Sequence, residues 1–144
     1  MLLRSRSSGW RISTLHAKPS WRFSVSRVIL ITGGVRSGKS RFALEVASRW
    51  KRKAFLATAE PLDEEMAERI SRHRKERGRE FFTVEEPLEV CRALLAIPDE
   101  FDCVLFECLA TWLGNVLVRE GVEALEGRSE ELLRTVEGLR KNLI

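Results

Sequence analysis

The sequence predicts an α/β fold in which helices cover both faces of a mainly parallel sheet. Strand-sized apolar runs alternate with helical patterns from Val28 onward, as expected for repeated strand–helix units. A glycine-rich loop joins the first of these runs to the first helix. The 144 residues are enough for one domain with a substantial core and too few for two large ones.

The individual elements follow from local patterns. The predicted strands are the β-branched and apolar runs at 28–31, 53–58, 81–84 and 102–108. The predicted helices cover 39–52, 63–77, 87–96, 109–118 and 122–143. For the second helix, Asp63 is the predicted N-cap, Glu64 and Glu65 suit the first turn, and Gly78 marks the end.

Residues 1–27 differ in composition from the rest of the chain. They carry six basic and no acidic side chains, which leaves 19 basic and 21 acidic side chains in the other 117 residues. The net charge of +4 therefore belongs to this segment, and the domain at 28–144 gives no electrostatic reason to expect nucleic acid. We expect a disordered extension, with a transit peptide or a start placed upstream of the real one as alternatives.

Cysteine usage and hydropathy bear on the compartment. The three cysteines lack metal-ligand spacing, and they are typical of buried thiols in a reducing compartment, so we expect a cytoplasmic protein. The longest apolar runs have the length of strands, and we expect no membrane span.

The loop after the first strand has the spacing of a phosphate-binding loop. Gly33 is followed by four residues and then by Gly38, Lys39 and Ser40. Glycines let backbone N–H groups point at phosphate oxygens, and the start of the next helix adds a partial positive charge. The alternative is a glycine-rich turn that matches by chance. The predicted phosphate-binding residues are Gly33, Gly34, Val35, Arg36, Ser37, Gly38, Lys39 and Ser40.

Two residues of this loop, Lys39 and Ser40, have further predicted roles. A third residue with such a role, Glu107, lies elsewhere in the chain. Lys39 would reach the β- and γ-phosphates of a nucleoside triphosphate, and the Ser40 hydroxyl would bind Mg²⁺. Glu107 ends the strand at 102–108, where such a fold needs a carboxylate to hold Mg²⁺ directly or through water. Ser40 and Glu107 are therefore the predicted metal ligands. The alternative for Glu107 is an acid that merely ends a strand.

The helix at 63–77 presents a histidine among basic side chains. Helical spacing places His73 on the face of Met66 and Ile70, which must pack inward, and Arg74 and Arg77 follow that face and its flank. Guanidinium groups bind phosphate oxygens in a fork, so an anion would suit this face. The alternative is a solvated basic helix with one packed histidine.

These segments together resemble a known family. The chain is similar, in order from Val28 to about Val118, to the bifunctional adenosylcobinamide kinase / adenosylcobinamide-phosphate guanylyltransferases of cobalamin biosynthesis. The segments that carry the resemblance are GGVRSGKS at 33–40, ATA at 57–59, DEEM at 63–66, RI at 69–70, HR at 73–74, TVE at 83–85 and LFECLATWL at 105–113.

The resemblance implies a RecA-like P-loop NTPase fold and two reactions. GTP or ATP phosphorylates adenosylcobinamide with Lys39 as a catalytic residue, and GMP then passes from GTP to the adenosylcobinamide phosphate through a guanylylated His73. A homo-oligomer is also implied. The nucleotide contacts that the resemblance adds to the phosphate loop are Ala57, Thr58, Ala59, Arg74, Lys75, Glu76, Arg77, Glu85 and Glu107.

The resemblance ends before the family pattern does. Members begin almost at the first strand and continue past the last helix with further strands, so we expect an incomplete sheet with an uncovered apolar face. Three other functions stay open at this point: a kinase of another small molecule, a RecA-like ATPase that depends on nucleic acid, and a non-catalytic remnant that binds nucleotide weakly. The near-neutral domain and the lack of an aromatic and basic stripe argue against the second.

Overall fold

A computed structural model describes residues 11–15 and 26–144, with side chains from residue 26 onward. The strands are β1 (Arg11–Leu15), β2 (Val28–Thr32), β3 (Lys53–Ala57), β4 (Phe81–Glu85), β5 (Cys103–Glu107) and β6 (Asn142–Leu143). The helices are α1 (Lys39–Ala47), α2 (Glu64–Arg77), α3 (Val90–Ala96), α4 (Leu109–Glu120) and α5 (Ala124–Gly138). Within these residues no helix is both long enough and apolar enough to cross a bilayer.

The strands form one sheet in the order β1-β2-β6-β5-β3-β4. The strands β2, β6, β5, β3 and β4 run parallel to one another. The strand β1 pairs antiparallel with β2, with Arg11 opposite Thr32. The prediction of an α/β fold with a mainly parallel sheet is confirmed. The predicted extension contributes β1. Its residues 1–10 and 16–25 lie outside the described residues, so the expected disorder there stays a prediction.

Helices pack on both faces of the sheet, as the sequence predicted. Alternation along β3 sends Ala54 and Leu56 to one face and Phe55 to the other. The first face is covered by α3, α4 and α5, whose buried side chains include Leu94, Trp112 and Leu132. The second face is packed against α1. The centre of the sheet is therefore held from both sides, which fixes the strand ends that carry the site.

The helix α2 begins and ends where the sequence predicted. The carboxylate of Asp63 accepts a hydrogen bond from the Met66 N–H at 2.7 Å, which satisfies an N–H group of the first turn. At the other end Gly78 adopts a φ of +70°, which glycine reaches without steric cost. Both boundaries are set by residues at the helix ends themselves.

The predicted helix at 122–143 is wrong in its last part. The helix α5 ends at Gly138, and the chain continues as β6 between β2 and β5. Leu139, Lys141 and Leu143 are buried in alternation, and Lys141 pairs with Asp99 at 2.9 Å. The Leu143 N–H donates to the Arg27 carbonyl at 2.8 Å. Burial at every second residue and backbone pairing with two strands outweigh the helical propensity here.

Two other predicted helices are shorter than expected. The helix α1 ends at Ala47 rather than 52, and α3 begins at Val90 rather than 87. Before α3 the Glu86 carboxylate accepts hydrogen bonds from the Leu88 and Glu89 N–H groups, each at 3.0 Å. This turn, held by the Glu86 side chain, occupies the residues before Val90, where the sequence predicts that a helix begins at Pro87.

Part of the apolar surface remains exposed. Leu30 on β2 is 45% exposed and Phe82 on β4 is 46% exposed. Two half-exposed side chains do not amount to an uncovered face, so that expectation stays a prediction, and β1 pairs with β2 at the edge of the sheet. The strands β3 and β5, by contrast, bury their apolar residues almost completely.

Candidate functional site

The phosphate loop lies between β2 and α1, with its backbone curled as the pattern predicts. Gly38 has a φ of +84° at the N-cap of α1, and Arg36 has a φ of +56°, which is uncommon for a residue other than glycine. Val35 is 91% exposed. The start of α1 therefore faces the loop with its N–H groups, as anion binding requires.

The side chain of Lys39 is folded over this loop. Its ammonium group donates to the Gly33 carbonyl at 2.8 Å and to the Gly34 carbonyl at 2.6 Å. The hydroxyl of Ser37 also donates to the Gly34 carbonyl. Lys39 thus contacts the loop that is predicted to bind a triphosphate. Phosphate oxygens can replace the two loop carbonyls as acceptors for its ammonium group.

The two predicted metal ligands are in direct contact. The Ser40 hydroxyl donates to Oε1 of Glu107, which stands at the carboxyl end of β5. A hydroxyl and a carboxylate are hard oxygen ligands of the kind that Mg²⁺ uses beside nucleotide phosphates. Among the described residues there is no cluster of three or more histidine, cysteine or acidic side chains suited to a metal. Ser40 and Glu107 could hold a magnesium ion together with phosphate and water ligands.

A cleft opens beside this pair, between α2 and the carboxyl ends of β3, β4 and β5. In parallel sheets ligands bind at this edge. The cleft has a volume of about 640 Å³, which includes its open mouth. The residues that line it are Phe55, Ala57, Ala59, Met66, Arg69, Ile70, His73, Arg74, Arg77, Glu85, Glu107, Cys108 and Thr111.

His73 lies at the junction between the cleft and the phosphate loop. Its Nδ1 is 3.4 Å from Oε1 of Glu107, the same oxygen that accepts from Ser40. The His73 side chain is about one third exposed, so it is reachable from the cleft. Of the four residues predicted for catalysis and metal binding, the structure thus brings together Ser40 from α1, His73 from α2 and Glu107 from β5.

The arginines of α2 are held by neighbours in the cleft. Arg74 pairs with Glu85 at the end of β4. Arg77 stacks on the ring of Phe55, with its guanidinium carbon 4.0 Å from the ring centroid. Among the described residues the buried Nε of Arg77 has no hydrogen-bond partner. Arg77 lines a cleft that an anion could occupy, and such an anion would be a partner for this side chain.

Electrostatics point in the same direction. Burial, and then the positive charge of Arg74, lower the pKa of Arg77 from its ordinary value, while Glu107 and Glu85 oppose the shift. A guanidinium group keeps its proton in proteins. The Arg77 guanidinium therefore stays charged in surroundings that disfavour its charge, and an anion bound in the cleft would stabilise it.

The side chain of Thr58 binds the protein backbone and is not part of the cleft lining. It is fully buried, and its hydroxyl accepts from the Cys108 N–H at 2.9 Å and donates to the Cys108 carbonyl at 3.0 Å. Its own N–H donates to the Glu107 carbonyl at 3.0 Å. Thr58 therefore fixes the backbone that carries Glu107. Its chain neighbours Ala57 and Ala59, also predicted nucleotide contacts, line the cleft.

The remaining predicted contacts divide by helix face. Lys75 and Glu76 are exposed and lie outside the lining of the cleft. Sequence reasoning did not assign Arg69 or Thr111, which do line it. Arg69 stands four residues before His73, so the helical spacing contained the signal. Thr111 follows β5 in the first turn of α4, and nothing in its local pattern marks it.

The phosphate loop, the hydroxyl–carboxylate pair and the cleft at the strand ends define a P-loop nucleotide-binding protein of the α/β class. Residues 29–144 match the family model for CobU, described as cobinamide kinase / cobinamide phosphate guanyltransferase. The chain belongs to this family, and the resemblance found in the sequence is confirmed.

Curated relatives agree with the family. The chain is 38% identical over 116 residues to a bifunctional adenosylcobalamin biosynthesis protein CobP from Pseudomonas aeruginosa, covering 80% of this chain and 67% of that one. It is also 38% identical to proteins named CobU from Escherichia coli and Salmonella typhimurium, over 94 and 98 residues. These matches cover 65% and 67% of this chain. The chain spans about half the length of those two relatives.

Proposed function

We propose that this chain phosphorylates adenosylcobinamide with GTP or ATP and transfers GMP from GTP to the resulting phosphate. The observation that carries the proposal is the meeting of Ser40, His73 and Glu107 at one carboxylate oxygen. A phosphate loop alone would suit many kinases. A histidine beside the loop, on a basic helix, supplies the nucleophile that nucleotidyl transfer needs.

The first reaction uses the phosphate loop. Backbone N–H groups of the loop and of α1 bind the triphosphate, and Lys39 leaves the Gly33 and Gly34 carbonyls for the β- and γ-phosphates. The hydroxyl of the aminopropanol arm attacks the γ-phosphorus and gives up its proton to water, and the nucleoside diphosphate leaves with the electrons of the broken bond to the β,γ-bridging oxygen. Lys39 neutralises the charge that develops on the phosphoryl oxygens.

Ser40 and Glu107 are proposed to hold Mg²⁺ with the nucleotide. The fit rests on their direct contact and on their hard oxygen atoms. When bound, the ion would neutralise phosphate charge. The remaining contributions come from Lys39, from the loop backbone and from the arginines of the cleft.

The second reaction uses the cleft. The free ring nitrogen of His73 attacks the α-phosphorus of GTP, a phosphorus–nitrogen bond forms, and pyrophosphate leaves with the electrons of the broken phosphorus–oxygen bond. Arg77, with its unpartnered Nε, stabilises the charge on the phosphoryl oxygens. An oxygen of adenosylcobinamide phosphate then attacks the same phosphorus, and the ring nitrogen recovers its electron pair.

Further features bear on partners and compartment. The three cysteines carry free thiols, which favours a reducing compartment, and we place the protein in the cytoplasm. The near-neutral charge of residues 28–144 disfavours a nucleic-acid partner. We also propose a homo-oligomer, on the family resemblance, and sedimentation of the purified chain would test that.

The test is product formation from adenosylcobinamide and GTP, followed by mass spectrometry. The expected products are adenosylcobinamide phosphate and then adenosyl-GDP-cobinamide. Nucleotide hydrolysis that depends on a polynucleotide, without either product, would favour the nucleic-acid ATPase instead. Phosphorylation of a different small alcohol, with adenosylcobinamide unreacted, would favour the other kinase.

A further inference from the structure

Arg69 is the cleft arginine that the proposed reactions do not use. Its side chain lines the cleft and is exposed. Among the described residues Arg69 has no hydrogen-bond or ion-pair partner. The other two arginines of the cleft are engaged, Arg74 by the carboxylate of Glu85 and Arg77 by the ring of Phe55. Arg69 therefore has its N–H donors available to a ligand.

The contacts of α2 show where Arg69 stands in the cleft. Arg77, near the end of the helix, lies over Phe55 in the middle of β3. One turn earlier His73 lies beside Glu107, the last residue of β5. Arg69 is four residues earlier again, about 6 Å further along the helix axis and on the same face. It therefore lies beyond the strand ends, one helical turn from His73.

The acceptor of the GMP group brings further negative charge to this place. A phosphate monoester carries about 1.5 to 2 negative charges at pH 7. It must approach a phosphorus whose own oxygens are negatively charged, so the two groups repel each other. In the proposed reactions the phosphate loop and Lys39 bind the β- and γ-phosphates of GTP, whereas no cation has been assigned to the acceptor phosphate. The second transfer therefore needs a cation within reach of His73.

We propose that Arg69 binds the phosphate of adenosylcobinamide phosphate and holds it for attack on the GMP group carried by His73. A guanidinium fork can donate to two phosphate oxygens at once and leave the third free to attack the phosphorus. An acceptor without a phosphate, such as adenosylcobinamide itself, would lose both contacts. The inference rests on the proposed guanylyl transfer and names the residue that recognises its acceptor.

The step balances without another reactant. An oxygen of the acceptor phosphate forms a bond to the phosphorus on His73, and the phosphorus–nitrogen bond breaks. Its electron pair returns to the ring nitrogen, so the ring regains the form in which it attacked GTP. The attacking oxygen is already deprotonated at pH 7, so no base has to remove a proton. Arg69 keeps its own protons and offsets the charge of the two phosphates.

The test separates formation of the GMP-labelled protein from its discharge. The chain is labelled from GTP that carries the label in its α-phosphate, freed of nucleotide, and mixed with increasing concentrations of adenosylcobinamide phosphate. In Arg69→Gln the acceptor concentration for half-maximal discharge should rise about tenfold or more, because two charge-assisted hydrogen bonds are lost. The rate of label formation should change much less.

Two further variants sharpen this measurement. Arg69→Lys keeps the charge without the fork, so its half-maximal acceptor concentration should lie between those of the parent and Arg69→Gln. Arg92→Gln, which removes an exposed arginine on α3 outside the cleft, is the matched control and should discharge as the parent does. Should Arg69→Gln fail to fold, Arg69→Lys takes its place, with a smaller expected increase.

Two results would overturn this role for Arg69. An unchanged half-maximal concentration in Arg69→Gln would show that the acceptor phosphate binds elsewhere. An equal loss in label formation and in discharge would place Arg69 at the pyrophosphate of GTP instead. A parent that takes up no label would contradict the proposed guanylyl transfer, and calorimetry of the unlabelled chain with adenosylcobinamide phosphate would then decide on Arg69 alone. Weaker binding by Arg69→Gln than by the parent would support the inference, and equal binding would refute it.

Discussion

The phosphate loop and the basic helix α2 reach the same carboxylate by different physical means. The loop binds through the backbone of consecutive residues, and Lys39 lies on the carbonyls of the loop itself. The helix presents side chains spaced three and four residues apart, and within α2, all of which is described, no residue is fully buried. One region is defined locally and the other by its docking against the sheet.

This difference decides how each region responds to change. The glycines and the helix start keep the loop's shape whatever the distant residues are. The helix depends on contacts such as Arg74 with Glu85 and Arg77 with Phe55. Substitutions in the loop should therefore weaken nucleotide binding as a whole, whereas the effect of a substitution on the helix should depend on the face that it lies on.

The largest expected effect is that of Lys39→Ala. The charge aimed at the β- and γ-phosphates is lost, so phosphoryl transfer should fall by about a hundredfold or more. Calorimetry with Mg-GTP should also show weaker binding. Lys51→Ala, which removes an exposed lysine just before β3, is the matched control and should bind as the parent does. Equal affinity of Lys39→Ala and the parent would refute the loop assignment.

The helix faces can be compared next. Arg77→Leu keeps an apolar side chain over Phe55 but removes the charged donor, so guanylyl transfer should fall about a hundredfold. Glu68→Ala, which removes an exposed charge on α2 outside the cleft, should retain the parent's rate. The measurement is the initial rate of label transfer from GTP. A larger loss for Glu68→Ala than for Arg77→Leu would contradict the observed orientation of α2.

A smaller effect is expected at Thr58. In Thr58→Val the shape is kept, but the Cys108 N–H loses its buried acceptor, at a cost of about 1–3 kcal/mol in the free energy of unfolding. Thr58→Ser retains the hydroxyl and should stay close to the parent. Urea denaturation of the three proteins measures this directly. If Thr58→Val were as stable as the parent, the hydroxyl would not be supporting the Glu107 backbone.

The smallest effect concerns the helices away from the site. Arg128 on α5 contacts Glu89 before α3 and Glu120 on α4, and its hydrogen bond lowers the pKa of each carboxyl below the usual value of 4.5. Lowered carboxyl pKa values in the folded state stabilise it above pH 4.5, and this stability is lost as the pH falls through them. The melting temperature of the parent should therefore drop in acid.

Arg128→Met removes this contribution. It should melt a few degrees lower than the parent at pH 7 and lose less stability on acidification. Arg134→Met, which breaks an exposed pair with Glu130 on the same helix, is the control and should follow the parent. Parallel acid profiles for Arg128→Met and the parent would show that the ion pairs contribute nothing.

The sequence predicted the parts of the fold that neighbouring residues determine. The ends of α2 follow from Asp63 and Gly78, and the phosphate loop follows from contiguous glycines. The local pattern at 139–143 predicts a helix, because the contacts that make this segment a strand are not visible in it. Those contacts are with β2, β5 and Asp99. None of these partners is near it in the sequence.

The candidate site shows the same division. Lys39, Ser40 and Glu107 could be named from motif and strand end, and helical spacing placed His73 on the inward face. The contact between His73 and Glu107 could not be predicted, because it depends on how α2 docks across the sheet. Lys75 and Glu76 came from the family resemblance alone, and their roles stay predictions.

The most direct test of this division of labour uses GTP labelled at either the α- or the γ-phosphate. The α-label should tag the protein with an acid-labile, alkali-stable bond, and the γ-label should not. His73→Ala should lose the tag and still phosphorylate adenosylcobinamide, because the proposed phosphorylation uses Lys39, Ser40 and Glu107 and not His73. An alkali-stable tag that persists in His73→Ala, or loss of phosphorylation together with the tag, would contradict the account.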